Sequence, residues 1–411
     1  MQRSIYIYFD DVYSDAPQLI GILSSQLLRG KEVFSFEFAD EWLHNSRCQL
    51  LDPDLQLYAG RQYLPESKSN FGLFLDSSPD RWGRVLLDRR ESIRAKDEQR
   101  AAAHLHESDY LLGVFDESRM GALRLKLSPE GDFLDNDPTY STPPLASLRE
   151  LEHASWEYEA DNADSRWLRI LLAPGSSLGG ARPKANIRMP DGSLWIAKFP
   201  SRHDDNNVGA WEAVAMTMAQ QCGIDVAPFG TKELGNRYAT FLTRRFDRTD
   251  NNRRLHFTSA MTMLGYTDGE TNGVSYLELA EWIARFCDNV EDNLAQMWKR
   301  IVFNIAISNC DDHLRNHGFL LTRQGWTLSP AYDLNPQPYG AGLSLNVNES
   351  DNALDFILAK EVASYFGLSA IQADSIISKT RQVVSRWRTF ATQAHISRDD
   401  QERMASAFDN R

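Results

Sequence analysis

Cysteine is scarce in this chain. Cys48, Cys222, Cys287 and Cys310 are scattered through 411 residues without a CxxC pair. That excludes a disulfide framework and a cysteine-rich metal site. No apolar run approaches the ~18 residues that a membrane span needs. The start, MQRSIYIYFDD, lacks the apolar stretch of about 7–15 residues found in secretion signals. Positive charge is also in deficit: 44 Lys plus Arg face 57 Asp plus Glu, a formal net charge of −13. A protein whose whole surface grips nucleic acid is thereby excluded, although local basic patches are not. Together these absences predict a soluble protein of a reducing, cytoplasmic compartment, with no membrane partner.

What is present is ordinary globular material. At 42% hydrophobic and 25% charged, the chain has enough apolar mass for a core and is not broadly disordered. Its length predicts roughly two to three domains. Residues 4–9 and 33–38 alternate as strands. A helix start is expected at Ser77-Ser78-Pro79-Asp80, with Ser78 as cap, Pro79 in the first helical position and Asp80 at the positive end. The charged segment from there to about Leu112 reads as helical. Residues 121–127 alternate again, and residues 129–144 read as a linker. A helix over 145–158 follows, then a Gly/Ser loop at 174–180. A hairpin turning at Pro190-Asp191-Gly192-Ser193 comes next. Further on are a helix at 209–222 and strands within 238–245. From 257 the pattern is mainly helical, broken by a loop-rich stretch at 308–351.

The segment Asn309-Cys310-Asp311-Asp312-His313-Leu314-Arg315-Asn316-His317 carries the densest chemistry. It follows an apolar run, 301–307, that reads as a buried helix. Asp311 and Asn316 are five apart. In protein kinases that spacing separates the Asp that accepts the substrate hydroxyl proton from the Asn that holds Mg²⁺. Asp333 follows two strand-like segments, 318–321 and 326–328, where a kinase places its second metal ligand. Amide and carboxylate oxygens suit Mg²⁺. The competing reading is an Asx-rich loop of turns and caps, with Asp312 a bystander. A zinc-dependent hydrolase using Asp311, Asp312, His313 and His317 is a further rival, but Leu314 stands where a zincin carries Glu.

Two other elements fit the kinase order. In Leu194-Trp195-Ile196-Ala197-Lys198-Phe199, period two puts Leu194, Ile196 and Lys198 on one face. A lysine there calls for an anion such as an ATP phosphate, unless it snorkels at the strand end. Glu212, on the next helix, is either its ion-pair partner or a solvated helix-start residue. The loop from Ser176 and Ser177 to Lys184 holds adjacent glycines, which let backbone approach a phosphate, without the GK[ST] ending of a P-loop. Gly loop, strand Lys, helix Glu, Asp, Asn at +5 and a later Asp follow the order of kinase parts. Residues 360–381 offer a rival of another class, resembling a DNA-reading helix-turn-helix. Lys379, Arg381 and Arg386 are basic there, but Asp374 lies where bases would be read. The bland reading is a helix pair inside a lobe.

The motifs SLGGARPK, IAKF, RRFDR, HFTSAMTMLGY, NCDDHLRNHGF and SPAYDLNP together resemble the HipA family. Its members are bacterial serine/threonine kinases acting as toxins of type II toxin–antitoxin modules. LDSSPDRWGR and LLGVFDESRMGAL resemble that family's first domain, so the likeness runs through nearly the whole chain. It implies an α+β, bilobal protein-kinase-like fold with a mixed α/β N-terminal lobe and a mainly helical C-terminal lobe. The implied parts are an α/β subdomain over 1–135, a nucleotide-binding part over 145–250, and a helical lobe with the catalytic and metal-binding loops over 251–411.

The resemblance also implies ATP and Mg²⁺ as cofactors and a role for each site residue. Asp311 is the catalytic base, and His313 contacts the γ-phosphate. Asn316 and Asp333 ligate the metal. Lys198 holds the phosphates, and Gly179, Gly180, Ala181, Arg182, Pro183 and Lys184 form the nucleotide loop. Arg245 and Phe246 lie at the adenine-binding hinge. Ser177, or its neighbour Ser176, is autophosphorylated, which expels the loop and switches the enzyme off. The implied partner is a HipB-like helix-turn-helix antitoxin, through which alone DNA is met. The implied substrate is a translation protein such as an aminoacyl-tRNA synthetase, glutamyl-tRNA synthetase being the example, with growth arrest and persistence as outcomes. Two departures stand out. GGARPK replaces a Gln-Glu pair before the lysine, and CDDH replaces the commoner TDAH. The acid, amide and lysine positions are intact. The alternatives are a helix-turn-helix DNA-binding regulator and a kinase-fold enzyme acting on a small molecule.

Overall fold

The computed structural model describes residues 2–65, 67–137, 141–160, 171 and 182–409. The chain forms two compact units, Met1–Arg202 with Asp247–Thr258, and His203–Phe246 with Ser259–Arg411.

The first unit is built on a five-stranded antiparallel sheet in the order β4-β3-β2-β1-β5. The strands are β1 (Gln2–Phe9), β2 (Gln18–Leu28), β3 (Lys31–Phe38), β4 (Arg61–Tyr63) and β5 (Leu123–Lys126). Alternation in β1 sends Ile5, Ile7 and Phe9 into the core. β2 and β3 meet in a two-residue turn, Arg29-Gly30, with φ of 50° and 82°. Two positive φ values in succession match the twist of a hairpin. Gly21 is required where β2 crosses β3, because a Cβ there would lie 2.4 Å from the Glu37 carbonyl oxygen.

The helix Arg81–Asp97 is capped by Asp80, whose carboxylate accepts from the Gly83 amide at 2.6 Å. The cap is thus Asp80 and not Ser78, whose hydroxyl instead donates to the Phe74 carbonyl at 2.8 Å. The expected single helix to Leu112 is two helices. Gln99 turns left-handed at φ 53°, and a second helix forms at Glu107–Leu112. Between these elements lies Arg119, fully buried. Its guanidinium donates to the carbonyls of Ser77 (3.0 Å), Leu111 (2.9 Å), Val114 (3.0 Å) and Leu134 (3.3 Å). One side chain therefore satisfies four backbone carbonyls from three separate segments. Burial pushes this guanidinium down to about 10, with Asp116 opposing.

His256 is buried in the same unit beside Phe9, with ring centroids 5.1 Å apart. Burial pushes its imidazole from 6.5 down to about 4, against a pull upward from Asp11. A depressed histidine is neutral in the folded state, so between these two values the unfolded chain binds more protons. Stability is present above pH 6.5 and is lost as pH falls toward 4. Between pH 7 and pH 5 this group alone removes about 2 kcal/mol. Urea titrations of the wild type and of His256→Gln are expected to differ by that slope. Parallel pH profiles would contradict the assignment.

The expected hairpin is present as strands Lys184–Arg188 and Leu194–Lys198, with Lys184 directly across from Lys198. In its turn Gly192 has φ 86°, and the Asp191 carboxylate accepts from the Ser193 amide at 2.9 Å.

The second unit is mainly helical. Helix Val208–Cys222 starts on an Asn207 cap and stops at Gly223, left-handed at φ 79°. Its Trp211 packs on Trp387 and Phe408, with centroids 5.9 and 5.8 Å away. Met216, Ile224, Phe303 and Val384 complete that core. A hairpin of Phe229–Lys232 with Thr240–Arg244 follows the helix. Helix Val290–Ala306 carries the buried run foreseen from the sequence, and the Trp298 indole donates to the Ala359 carbonyl at 3.0 Å. Among the described residues no helix is long and apolar enough to cross a membrane.

Candidate active site

The loop 308–317 begins where helix Val290–Ala306 ends. Ser308 turns left-handed at φ 51°, and the Asn309 amide returns to the Asn304 carbonyl at 2.9 Å. The His313 amide donates to the Asp311 carbonyl at 3.0 Å, and a 3₁₀ turn covers Leu314–Asn316. The Asn316 side-chain nitrogen then donates to that same Asp311 carbonyl at 3.0 Å. The five-residue spacing is therefore closed by a hydrogen bond. Asn316 is buried, His313 half-buried and Asp311 exposed.

Strands Gly318–Leu321 and Trp326–Leu328 form an antiparallel hairpin. The Ser329 amide donates to the Gly318 carbonyl at 2.8 Å, so the residues after the hairpin leave from the end at which loop 308–317 arrives. Ala331 is tied to Asp225 through its amide at 2.7 Å, and the Tyr332 hydroxyl donates to the Arg315 carbonyl at 2.7 Å. Directly after these anchors Asp333 takes φ 56°, a left-handed conformation that Asp tolerates better than most residues. Phe246 packs its ring on Tyr332 at 5.5 Å and so reaches the same loop, while its neighbour Arg245 is buried. Carboxylate and amide oxygens of the kind that Asp311, Asn316 and Asp333 carry are hard donors, the chemistry that Mg²⁺ takes.

Asp312 points the other way. Its Oδ2 accepts from the Tyr276 hydroxyl and from His317 Nε2, the latter at 2.9 Å. Burial pushes its carboxyl up, but the imidazole of His317 and the Tyr276 hydroxyl outweigh that and hold it below the usual carboxylate range. The Tyr276 hydroxyl is pushed well above its ordinary value by burial and by Asp312. His317 is thereby engaged inside the protein. Among the described residues no group of three or more His, Cys, Asp and Glu is placed to hold a metal. The zinc reading has no support in this geometry.

The other sequence-derived residues fall as follows. Ser176, Ser177, Gly179, Gly180 and Ala181 lie outside the described residues. Arg182 is half-buried and Pro183 buried. Lys184 is buried and paired with Asp80 at 2.7 Å. Lys198 ends its strand half-buried. Glu212 is only 3% exposed, which removes the solvated reading. In the helix-turn-helix candidate, helix Ala370–Val384 turns Ala373, Thr380, Val383 and Val384 inward. Lys360 pairs with Asp374 at 2.6 Å. The segment is thus packed into the helical core and part of its basic charge is neutralised. Tyr276 is the site residue the sequence reading passed over, and His317 entered it only as a zinc ligand of the rival hydrolase. The repeated spacing of five, Asp311 to Asn316 and Asp312 to His317, is the signal that marks the second pair.

The family model described as HipA-like C-terminal domain matches residues 176–387. The Shewanella oneidensis protein named serine/threonine-protein kinase toxin HipA is 26% identical over 191 residues, covering 39% of this chain and 43% of that protein. A Sinorhizobium fredii protein named "Putative kinase Y4dM" is 27% identical over 221 residues, covering 48% of this chain and 51% of that one. The chain spans about half the length of these curated relatives. In solved structures, a chain of the Shewanella oneidensis MR-1 complex of HipA, HipB and operator DNA matches with a TM-score of 0.67 at 18% identity. That match covers 98% of this chain and 94% of the other. The likeness establishes the mixed α/β HipA fold. With a family model matched over more than half its length, the chain belongs to the HipA-like family.

Proposed function

We propose that the chain is an ATP- and Mg²⁺-dependent serine/threonine protein kinase of the HipA toxin type. The observation that carries this reading is the hydrogen bond from Asn316 to the Asp311 carbonyl, 3.0 Å across the five-residue spacing. It ties the Asn316 side chain to the Asp311 backbone, so the two residues are held together within one short loop. In the proposed reaction Asp311 orients a Ser or Thr hydroxyl and takes its proton as the oxygen attacks the γ-phosphorus, and ADP leaves with its bridging oxygen. Asn316 and Asp333 would hold Mg²⁺, which supplies neutralising charge for the phosphates when bound. Lys198 would hold the phosphates, as the strand lysine of kinases does, with His313 near the γ-phosphate, and Lys184, paired with Asp80, would end the nucleotide loop. Gly179, Gly180, Ala181, Arg182 and Pro183 would cover the nucleotide, and Arg245 with Phe246 would border the adenine. Catalysis of this kind rests on positioning and electrostatics.

The finer reading extends to biology. Relatives named as kinases and as a HipA toxin, one of them matched in a complex with HipB and operator DNA, support a toxin role with a HipB-like helix-turn-helix antitoxin as partner; growth arrest, and a translation protein such as glutamyl-tRNA synthetase as target, extend that reading. Purified chain incubated with γ-labelled ATP and Mg²⁺ is expected to acquire label, mapped by mass spectrometry to Ser177 or its neighbour Ser176. A chain that neither labels itself nor turns over ATP would contradict the kinase reading.

A further inference from the structure

Two pairs with the same spacing interleave in one loop. Asp311 is exposed and Asn316 returns its side chain to the Asp311 carbonyl; Asp312 and His317, each one residue later, are buried. The inward pair is sealed. Asp312 and His317 side chains are each 2% exposed, and Tyr276 is 0% exposed. Two hydrogen bonds, from the Tyr276 hydroxyl and His317 Nε2, converge on a single oxygen, Asp312 Oδ2. An ionised carboxylate only accepts, so Nε2 carries the proton. The tyrosine and imidazole rings meet edge to face at 5.8 Å. Tyr276 and His317 are each anchored by the backbone, to different segments. Tyr276 opens the helix Tyr276–Phe286, which Ser275 and Glu278 cap reciprocally, and its amide donates to the Asn346 carbonyl at 2.9 Å. The His317 carbonyl accepts from the Ala260 amide at 2.9 Å. Asp312 has no such anchor of its own, and the loop either side of it has no regular hydrogen-bond ladder.

We propose that Tyr276, Asp312 and His317 are positioning residues, a buried clamp that fixes the separation of Asp311 from Asn316 by holding the next residue of each. This rests on the kinase reading for its catalytic consequence, though not for its structural one. A buried polar cluster in itself adds little stability over an apolar substitute. Its use here is to define one loop geometry. Hydrogen bonds convergent on one oxygen are directional and restrict both ends of a five-residue span more tightly than apolar contacts, which are not.

The test compares Tyr276→Phe, which removes one oxygen from the clamp, with His317→Gln and with Asp312→Asn, which keeps an acceptor. Hydrogen–deuterium exchange without nucleotide is followed at the amides of residues 311–317, alongside steady-state kinetics in ATP. Faster exchange confined to that loop is expected in Tyr276→Phe and His317→Gln. With it, kcat is expected to fall about 10–100-fold, as for reacting groups displaced by about 1 Å. KM for ATP is expected to stay within about twofold, since ground-state binding is not what the clamp serves. Asp312→Asn is expected to recover part of the loss. Unchanged exchange in folded variants overturns the clamp, as does loosened exchange with unchanged kcat. A wild-type chain without ATP turnover sinks the kinase reading instead, and the exchange result then decides the clamp alone.

Discussion

Asp311→Asn is expected to lower the phosphoryl-transfer kcat by about 10²–10⁴-fold, the span by which a positioned general base accelerates a reaction. The substitution keeps shape and hydrogen-bonding capacity while removing the proton acceptor. Asp311 is exposed, and the loop uses its backbone carbonyl, which receives the His313 amide and the Asn316 side chain. That carbonyl survives the change. The thermal midpoint is therefore expected to stay within ~2 °C, as for surface changes away from packed features. Stopped-time assays of ADP release with calorimetry on the same preparation separate the two effects. An active Asp311→Asn chain would remove the base from its assigned residue.

The second large effect is expected at Asp333. Its backbone sits at φ 56°, where Asn and Asp are tolerated and a plain Cβ residue costs about 1–2 kcal/mol. Asp333→Asn is expected to retain the fold, whereas Asp333→Ala is expected to lose about 1 kcal/mol as well. Both are expected to lose at least about 10²–10³-fold in turnover, as when one preorganised electrostatic partner is deleted. In the Asn variant residual activity is expected to need more Mg²⁺, because a neutral oxygen replaces a charged one. Two variants with equal activity loss and a raised Mg²⁺ requirement place the effect in chemistry. Loss in the Ala variant alone would place it in backbone strain.

Much of the second unit was legible because its signals are local. The apolar run before the loop, the spacing of Asp311 and Asn316, and the strands at Gly318–Leu321 and Trp326–Leu328 are each contiguous in sequence. The hairpin turn at 190–193 was equally plain, since Asp191 and Gly192 are turn residues for stated physical reasons. β2 went unassigned because QLIGILSSQLL mixes apolar and polar residues without strict alternation, and its pairing with β1 and β3 is a tertiary fact. The false continuation of the helix past Asp97 has a similar origin. Residues 98–106 are charged and helix-compatible, but Arg100 turns back to Glu91 and Glu98, and Gln99 breaks the run. The clamp was invisible for a different reason. Tyr276 lies 36 positions from Asp312, and nothing in one sequence reports that a tyrosine and an aspartate will share a buried hydrogen bond. Lys184 likewise looked like a loop cation until its partner Asp80, 104 residues earlier, was in view.

The most direct measurement is a crystal structure of the full chain grown with Mg²⁺ and a non-hydrolysable ATP analogue. The account predicts Mg²⁺ on the Asn316 amide oxygen and the Asp333 carboxylate, the Lys198 ammonium within about 3 Å of a phosphate oxygen, and the Asp311 carboxylate open to an incoming hydroxyl. A nucleotide bound elsewhere, or bound with Asn316 and Asp333 turned away from its metal, would contradict it.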